Sequence, residues 1–332
     1  MLPQRLLSHG AEPLTPTDHR RGPEQTFLTF PEWYLVHSPA EYASYLQEAE
    51  HPSRFPLFAH VGQFWQGYAA VIHETKAYPF NAGYHLRVSV IGASTTVEYG
   101  MKGLYEHTVG RLTEATCTGH GLTPEERFAA KVAQDYVDFI RVEPWYEYSF
   151  LRALKKLWAE TEFFGPNLAR KWERKLILSA EYLVKAQYAT LIKLGTKAAY
   201  GDADADMLVV AENVTAAALA GESKVKVLKT FDDGSALLSL PRYEEFREAV
   251  LRLTGRGVAF REIAGNGQIL LTCVVPSQLR FEPAGGRVLF ARPILTEPAR
   301  KRIGIAAEVS SLHRVLRQLA DADVEVEHIY DY

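Results

Sequence analysis

Sulfur is scarce in this chain. Its 332 residues include two cysteines and three methionines, and Cys117 and Cys273 fall in different expected domains. They resemble neither a disulfide framework nor a zinc site. A reducing compartment fits, as does any compartment in which neither thiol is needed. An excess of one charge is missing too: 37 Lys and Arg against 40 Asp and Glu leave a net charge of −3. Nucleic acid favours a concentrated basic face, so no nucleic-acid partner is expected. The local run Arg170-Lys171-Trp172-Glu173-Arg174-Lys175 is interrupted by Glu173 and reads as a solvated helix face. Long apolar runs are absent as well. The most apolar window, Leu176 to Leu194, contains Glu181, Lys185, Gln187 and Lys193, which suits a buried amphipathic helix better than a membrane span. Met1 to Gln25 holds neither a secretory signal nor an anchor and reads as a loose tail. No G-x-S-x-G elbow, HExxH pair, P-loop or dinucleotide fingerprint occurs. No reaction is spelled out by motif, and no cofactor is named.

What is abundant is rings with polar tips. Six of the eleven histidines (His37, His51, His60, His73, His85 and His107) lie between Phe27 and Glu114, with His120 just beyond. The same stretch holds TFPEWY from Thr29, GQFWQGY from Gly62, YPFNAGYH from Tyr78 and VEYGMKGLYEH from Val97. A core alone needs only Leu, Ile and Val; so many Tyr, Trp and His residues imply buried hydrogen bonds or a site.

Helix signals dominate to about Tyr200. Ser38-Pro39-Ala40-Glu41 reads as a capping box opening a helix to about Ala49, and Thr123-Pro124-Glu125-Glu126 repeats the device for a helix to about Arg141. Phe58 to Ile72 has helical spacing. Tyr84 to Glu114 is an expected helix with a break near Gly92 or Gly100, and Glu147–Glu160 and Leu168–Tyr200 complete an irregular bundle. Gly201 to Asp206 marks a boundary. Beyond it the expected order is a strand at Val225–Phe231, then strand, helix, strand, strand, insertion, strand, helix and strand from Ala236 onward. That order is a split β–α–β, ferredoxin-like α+β sandwich. The expected division is a tail at 1–25, a helical domain at 26–200, a linker at 201–206 and the ferredoxin-like domain at 207–332. No repeat relates the two halves.

The expected chemistry sits in the helical domain. Metal ligation lacks support: Glu48-x-x-His51 falls at a helix end and Glu325-x-x-His328 on a strand, where a di-iron bundle needs such pairs on facing helices. His85 and His107 would be about 33 Å apart along a helix. Cys117 lies three residues before His120, a weak hint of an activated thiol. A polar seam has more support. Glu98, Lys102 and Tyr105 share one helical face, and Glu181 and Lys185 repeat the i,i+4 spacing among Leu, Ile and Val. Carboxylates there must be paired or carry a raised pKa. One outcome is ion pairs joining the two helices; the other is a ring-lined pocket in which Tyr99, Tyr105, Tyr182 and Tyr188 meet a ligand. The expected ligand-binding set is His85, Glu98, Tyr105, Glu106 and Tyr182, with no metal ligands, around a small, partly apolar ligand. The alternatives are an enzyme using a cross-helix His/Glu site, with or without a metal, and an assembly protein that pairs as a homodimer through its carboxyl-terminal sheet.

The segments TFPEWYLVHSPAEYA, YPFNAGYH, VEYGMKGLYEHTVGRLTE, PWYEY and GPNLARKWERK, with the terminal EHIYDY, together resemble an uncharacterised family of bacterial proteins. The resemblance spans most of the chain and implies no activity. It implies an apolar anchor ahead of the first motif, which this sequence does not show. The expected location is therefore cytoplasmic or peripherally membrane-associated. The carboxyl-terminal half is similar in element order to ACT-type regulatory sandwiches, which bind amino acids or similar ligands; that likeness is at the level of fold.

Overall fold

The structure, a computed structural model, describes residues 12–119, 121–199 and 206–332, with the backbone alone at 195–199. It has a helical amino-terminal domain followed by an α+β domain. The helices are α1 (Gln25–Gln47), α2 (Leu57–Thr75), α3 (Ala82–Tyr105), a π-helical turn (Glu106–Gly110) running into α4 (Arg111–Glu114), α5 (Pro124–Ile140), α6 (Phe150–Glu160) and α7 (Leu168–Ala199). His120 and all of the expected linker except Asp206 lie outside the described residues.

α1 corrects the expected start at Ser38. The helix begins at Gln25 and carries Pro31 and Pro39 in its interior. Each proline removes one i→i−4 bond, but Phe27, Leu28, Phe30, Trp33 and Tyr34 are all buried, and that burial overrides the local cap signal. Ser38 Oγ caps nothing; it bonds to the His60 ring and to Tyr99. The Thr123 capping box forms as expected: Thr123 Oγ1 accepts from Glu126 N, and Glu126 Oε2 accepts from Thr123 N at 2.8 Å. Helix α3 does not break at Gly92 or Gly100. Gly92 is instead a point of close approach, where an added Cβ would lie 2.3 Å from the Phe64 ring of α2. The irregularity comes later, in the π turn, a feature often found at functional sites.

The α+β domain contains β1 (Asp206–Glu212), β2 (Lys226–Thr230), β3 (Ala236–Pro241), α8 (Glu244–Gly255), β4 (Ala259–Ile263), β5 (Gln268–Pro276), β6 (Gly286–Pro293), β7 (Arg300–Glu308), α9 (Leu312–Asp321) and β8 (Val326–Tyr330). The element order expected from Ala236 is present, and so are the split β–α–β connections. The strands, however, divide between two antiparallel sheets, ordered β2-β3-β1-β4 and β6-β7-β5-β8. In each, a helix connects two parallel strands that flank a third. Unit β1–β4 with α8 and unit β5–β8 with α9 thus share one topology. The sequence reading assigned no strand to the stretch that forms β1; β1 pairs with both β3 and β4 and takes the central place that β5 would have filled in a single sheet. Both helices and the facing sides of both sheets form one core, including Phe246, Leu253, Leu271, Ile305 and Leu316.

The outer sheet faces are covered by the amino-terminal half. Phe27, Phe30 and Trp33 pack with Leu270, Phe290 and Tyr330, and Thr26 Oγ1 donates to Tyr330 O while accepting from Leu270 N. The segment expected as a loose tail is docked from residue 12 onward. Leu14 N and Thr15 Oγ1 donate to the Glu262 carboxylate, Arg21 N bonds to Ala264 O, and Leu14 packs with Leu208, Val210 and Leu237.

Candidate functional site

An open groove of about 1300 Å³ runs between α3 and α7. Its floor comes from α1 (Leu35, Pro39, Tyr42) and α5 (Val132, Ala133, Tyr136), and Arg242 and Tyr332 of the α+β domain line one end. Pro39 lacks the N–H that would bond the Leu35 carbonyl, so α1 is locally unlaced along this floor. Rings dominate the lining, with Tyr99, Tyr182, Tyr188 and Trp145 around the centre. Trp145 and Tyr188 are stacked with centroids 5.4 Å apart.

Four charges span the groove. Lys185 Nζ lies 3.0 Å from Glu98 and 2.8 Å from Glu181, and Lys102 Nζ lies 3.2 Å from Glu181 and 4.4 Å from the centre of the Tyr42 ring. The i,i+4 pair Glu181–Lys185 forms as its spacing suggested, whereas Glu98 reaches across to α7 and pairs with Lys185. Burial pushes the Glu181 carboxyl up, but Lys102 and Lys185 together hold it well below the usual carboxylate range. Burial opposes charge on both lysines, and Glu181 more than restores it, raising each above its ordinary value. Glu181, Lys102 and Lys185 therefore remain ionised near neutrality. Glu98 is the most accessible member, with 47% of its side chain exposed.

Two members of the expected ligand-binding set, Glu98 and Tyr182, line this groove. The other three are elsewhere. His85 faces α2, where its Nδ1 is 2.8 Å from Tyr68 OH and its ring stacks on Phe80. Tyr105 and Glu106 belong to a sealed cluster built around the run Arg170–Lys175. That run is not a solvated face, since Arg170, Lys171, Glu173, Arg174 and Lys175 are all buried. Arg170 donates to Glu126, to Glu173 and to the Gly110 carbonyl. Lys171 pairs with Glu125 at 2.9 Å, Arg174 pairs with Glu106 at 2.8 Å, and Tyr105 OH donates to Glu173. The π turn makes room for this: a Cβ on Gly110 would sit 2.5 Å from Glu106 Oε2. Three cations of the run, Arg170, Lys171 and Arg174, meet four carboxylates (Glu106, Glu125, Glu126, Glu173), and Lys175 Nζ donates to the Thr161 carbonyl.

A third polar assembly links the groove to the α+β domain, and the sequence reading did not foresee it. Tyr34 and Tyr99 line the groove. Tyr34 OH is 2.9 Å from His60 Nδ1 and donates to His60 O; Tyr99 OH is 2.8 Å from Ser38 Oγ, which is 3.1 Å from the same ring nitrogen. His60 Nε2 and Glu41 Oε2 face each other at 3.6 Å, both buried and otherwise unpartnered. Arg302 bonds Glu41 on one side and Glu327 on the other, and His37 stands between Glu327 and Tyr330 OH. Burial holds the His60 imidazole down at about 3 and His37 at about 4. Burial raises Glu41 despite Arg302, whereas Arg302 overcomes burial and lowers Glu327 to about 2. A neutral His60 whose Nδ1–H faces Tyr34 turns its bare Nε2 toward the Glu41 carboxyl, 3.6 Å away with no hydrogen bond between them. Cys117 is half-buried, and burial raises its thiol, the reverse of activation. Among the described residues no group of three or more His, Cys, Asp or Glu is placed to hold a metal ion, and no helix is long and apolar enough to cross a membrane.

No family model, no curated protein and no solved structure matches the chain.

Proposed function

We propose that the helical domain binds a small, partly apolar molecule in the groove between α3 and α7, with its polar group at Glu98 and Lys185. The carrying observation is the groove itself: about 1300 Å³ lined by rings around a half-dehydrated charge quartet. Ligand sites are concave and mostly apolar, with a few convergent polar groups, and this place has that composition. The quartet neutralises itself, so a ligand need carry no net charge. Its polar group would meet the accessible end of the chain, Glu98 with Lys185, while its apolar part stacks on Tyr188, Trp145 and Tyr136. Native mass spectrometry of the full chain purified from bacterial cells tests this. A bound small molecule is expected on the wild type and is expected to be lost from Ala133→Trp, which fills the floor. Bare protein in both samples would remove the reading.

A second reading is supported by the unpartnered His60 and Glu41 pair. Tyr34 and Tyr99 connect the groove to that pair through hydrogen bonds, a path along which a proton can pass between a bound molecule and a buried imidazole. The groove would then be the binding site of an enzyme with a cross-helix His/Glu centre. Retention of the bound molecule in unaltered chemical form by both wild type and His60→Gln would count against that reading and leave simple binding intact.

A further inference from the structure

The helices bordering the groove have their polarity reversed relative to a water-facing bundle. On α3 and the π turn, the exposed residues from Val90 to Val109 include Val90, Val97, Met101, Leu104 and Val109. The one charged residue among them, Glu98, is paired to Lys185. Of the other charges on α3 and the π turn, Lys102 turns inward to Glu181 and Glu106 to Arg174, while Arg87, half exposed near the amino-terminal end of α3, reaches Glu32. On α7, the exposed residues from Leu176 to Leu194 include Leu176, Leu183, Val184, Leu191 and Leu194; the charges of this stretch, Glu181, Lys185 and Lys193, line the groove, Lys193 being paired with Glu147. A helix at a water surface puts apolar residues inside and charges outside. Here the charges find one another between the helices and the apolar side chains face out, the arrangement ionisable residues adopt where the surroundings are hydrocarbon. The mean hydropathy of each helix conceals this segregation because the inward charges are averaged in.

We infer that the outer faces of α3 and α7 lie in the acyl region of a lipid bilayer, so that the helical domain rests on the membrane with the mouth of its groove against lipid. Three features favour lipid over a second copy of the chain. Interfaces in water pair an apolar centre with a polar rim, whereas the polar side chains on these faces are few and mostly satisfied within the domain: Glu98 by Lys185, Thr108 and Thr190 by carbonyls of their own helices, and Tyr188 by Ser94. The faces flank an open cavity of about 1300 Å³, which a rigid partner would bridge and leave unfilled, whereas acyl chains follow it. Leu86 and Val90 are exposed and also line the groove, so the face and the cavity are continuous. The inference concerns the outer faces and stands whether or not the groove holds a separate ligand.

Vesicle flotation of the full chain tests it, with phosphatidylcholine vesicles and with vesicles containing one quarter phosphatidylglycerol, at low salt and in about 0.5 M NaCl, where charge attraction is screened within a few ångströms. The wild type is expected to float with both vesicle types at both salt concentrations. The triple variant V97E/M101E/L191E is expected to lose at least about tenfold in partitioning, equivalent to about 1.4 kcal/mol, while keeping its circular dichroism and thermal transition. Leu228→Glu, at an exposed site on β2, is expected to float like the wild type. Wild type that stays in the aqueous fraction, that floats only with anionic vesicles at low salt, or that floats equally well as the triple variant would overturn the inference. Loss of a dimer in the triple variant without any vesicle binding by the wild type would assign the faces to a second copy instead.

Discussion

Two ionic assemblies lie between α3 and α7, and they differ in their relation to water. Toward the amino-terminal end of α7, Arg170, Glu173 and Arg174 meet Glu106 and Glu126 in a cluster that is closed on every side. A few turns on, Lys102, Glu181, Lys185 and Glu98 use the same residue types around an open groove. The sealed cluster fills its space; the quartet holds two helices apart. Paired charges between helices are thus an architectural device at one end and a candidate binding surface at the other, and solvent access, rather than residue type, separates the two.

Breaking the sealed cluster should have the largest effect. Arg170→Ala removes the buried cation from Glu126, leaving that carboxylate only the Thr123 N–H and the His51 ring, which costs about 3–5 kcal/mol and should appear as a large drop in the chemical denaturation midpoint or as failure to fold. Lys102→Met tests the quartet from its more buried side. Glu181 keeps Lys185, so the loss should be roughly 1–2 kcal/mol, measured by the same titration.

The pH dependence separates both assemblies from the buried histidines. His37 titrates at about 4 in the folded chain, below its ordinary 6.5, because burial disfavours its charge even with Glu327 beside it. Between those values the unfolded chain binds the proton and the folded chain does not. The stability that a neutral His37 contributes is therefore complete above pH 6.5 and is lost as pH falls toward about 4. His37→Gln should flatten the stability profile in that window by up to about 1.4 kcal/mol per pH unit, and a profile parallel to the wild type would contradict the burial of this ring. The smallest effect belongs to Glu98→Gln: with half the side chain in water, it should change stability by less than about 1 kcal/mol while weakening retention of any groove ligand. A large loss of stability would move Glu98 from the binding surface to the architecture.

Legibility in the sequence followed the range of the interaction. The Thr123 box, the periodicity of α2 and the Glu181–Lys185 pair are local, and all three appear in the structure. The seam was legible because charges recur at helical spacing among apolar residues. Its partners were not: whether Glu98 meets Lys102 or Lys185 depends on which helix faces it. Tyr105 and Glu106 read like members of the seam because they continue its face of α3, yet Arg174 and Glu173 enclose them. The Arg170–Lys175 run looked solvated because sequence cannot show three carboxylates, Glu106, Glu125 and Glu126, arriving from other segments. Strand β1 escaped notice because its apolar residues follow an acidic boundary, and its central place is fixed only by pairing with β3 and β4.

The most direct measurement is a high-resolution crystal structure of the full chain purified from bacterial cells. The account predicts density for a bound molecule along Tyr188 and Trp145, in contact with Glu98 or Lys185, while the Arg170–Glu126 cluster stays closed and dry. A groove holding only water, or collapsed so that α3 and α7 touch along the quartet, would contradict it.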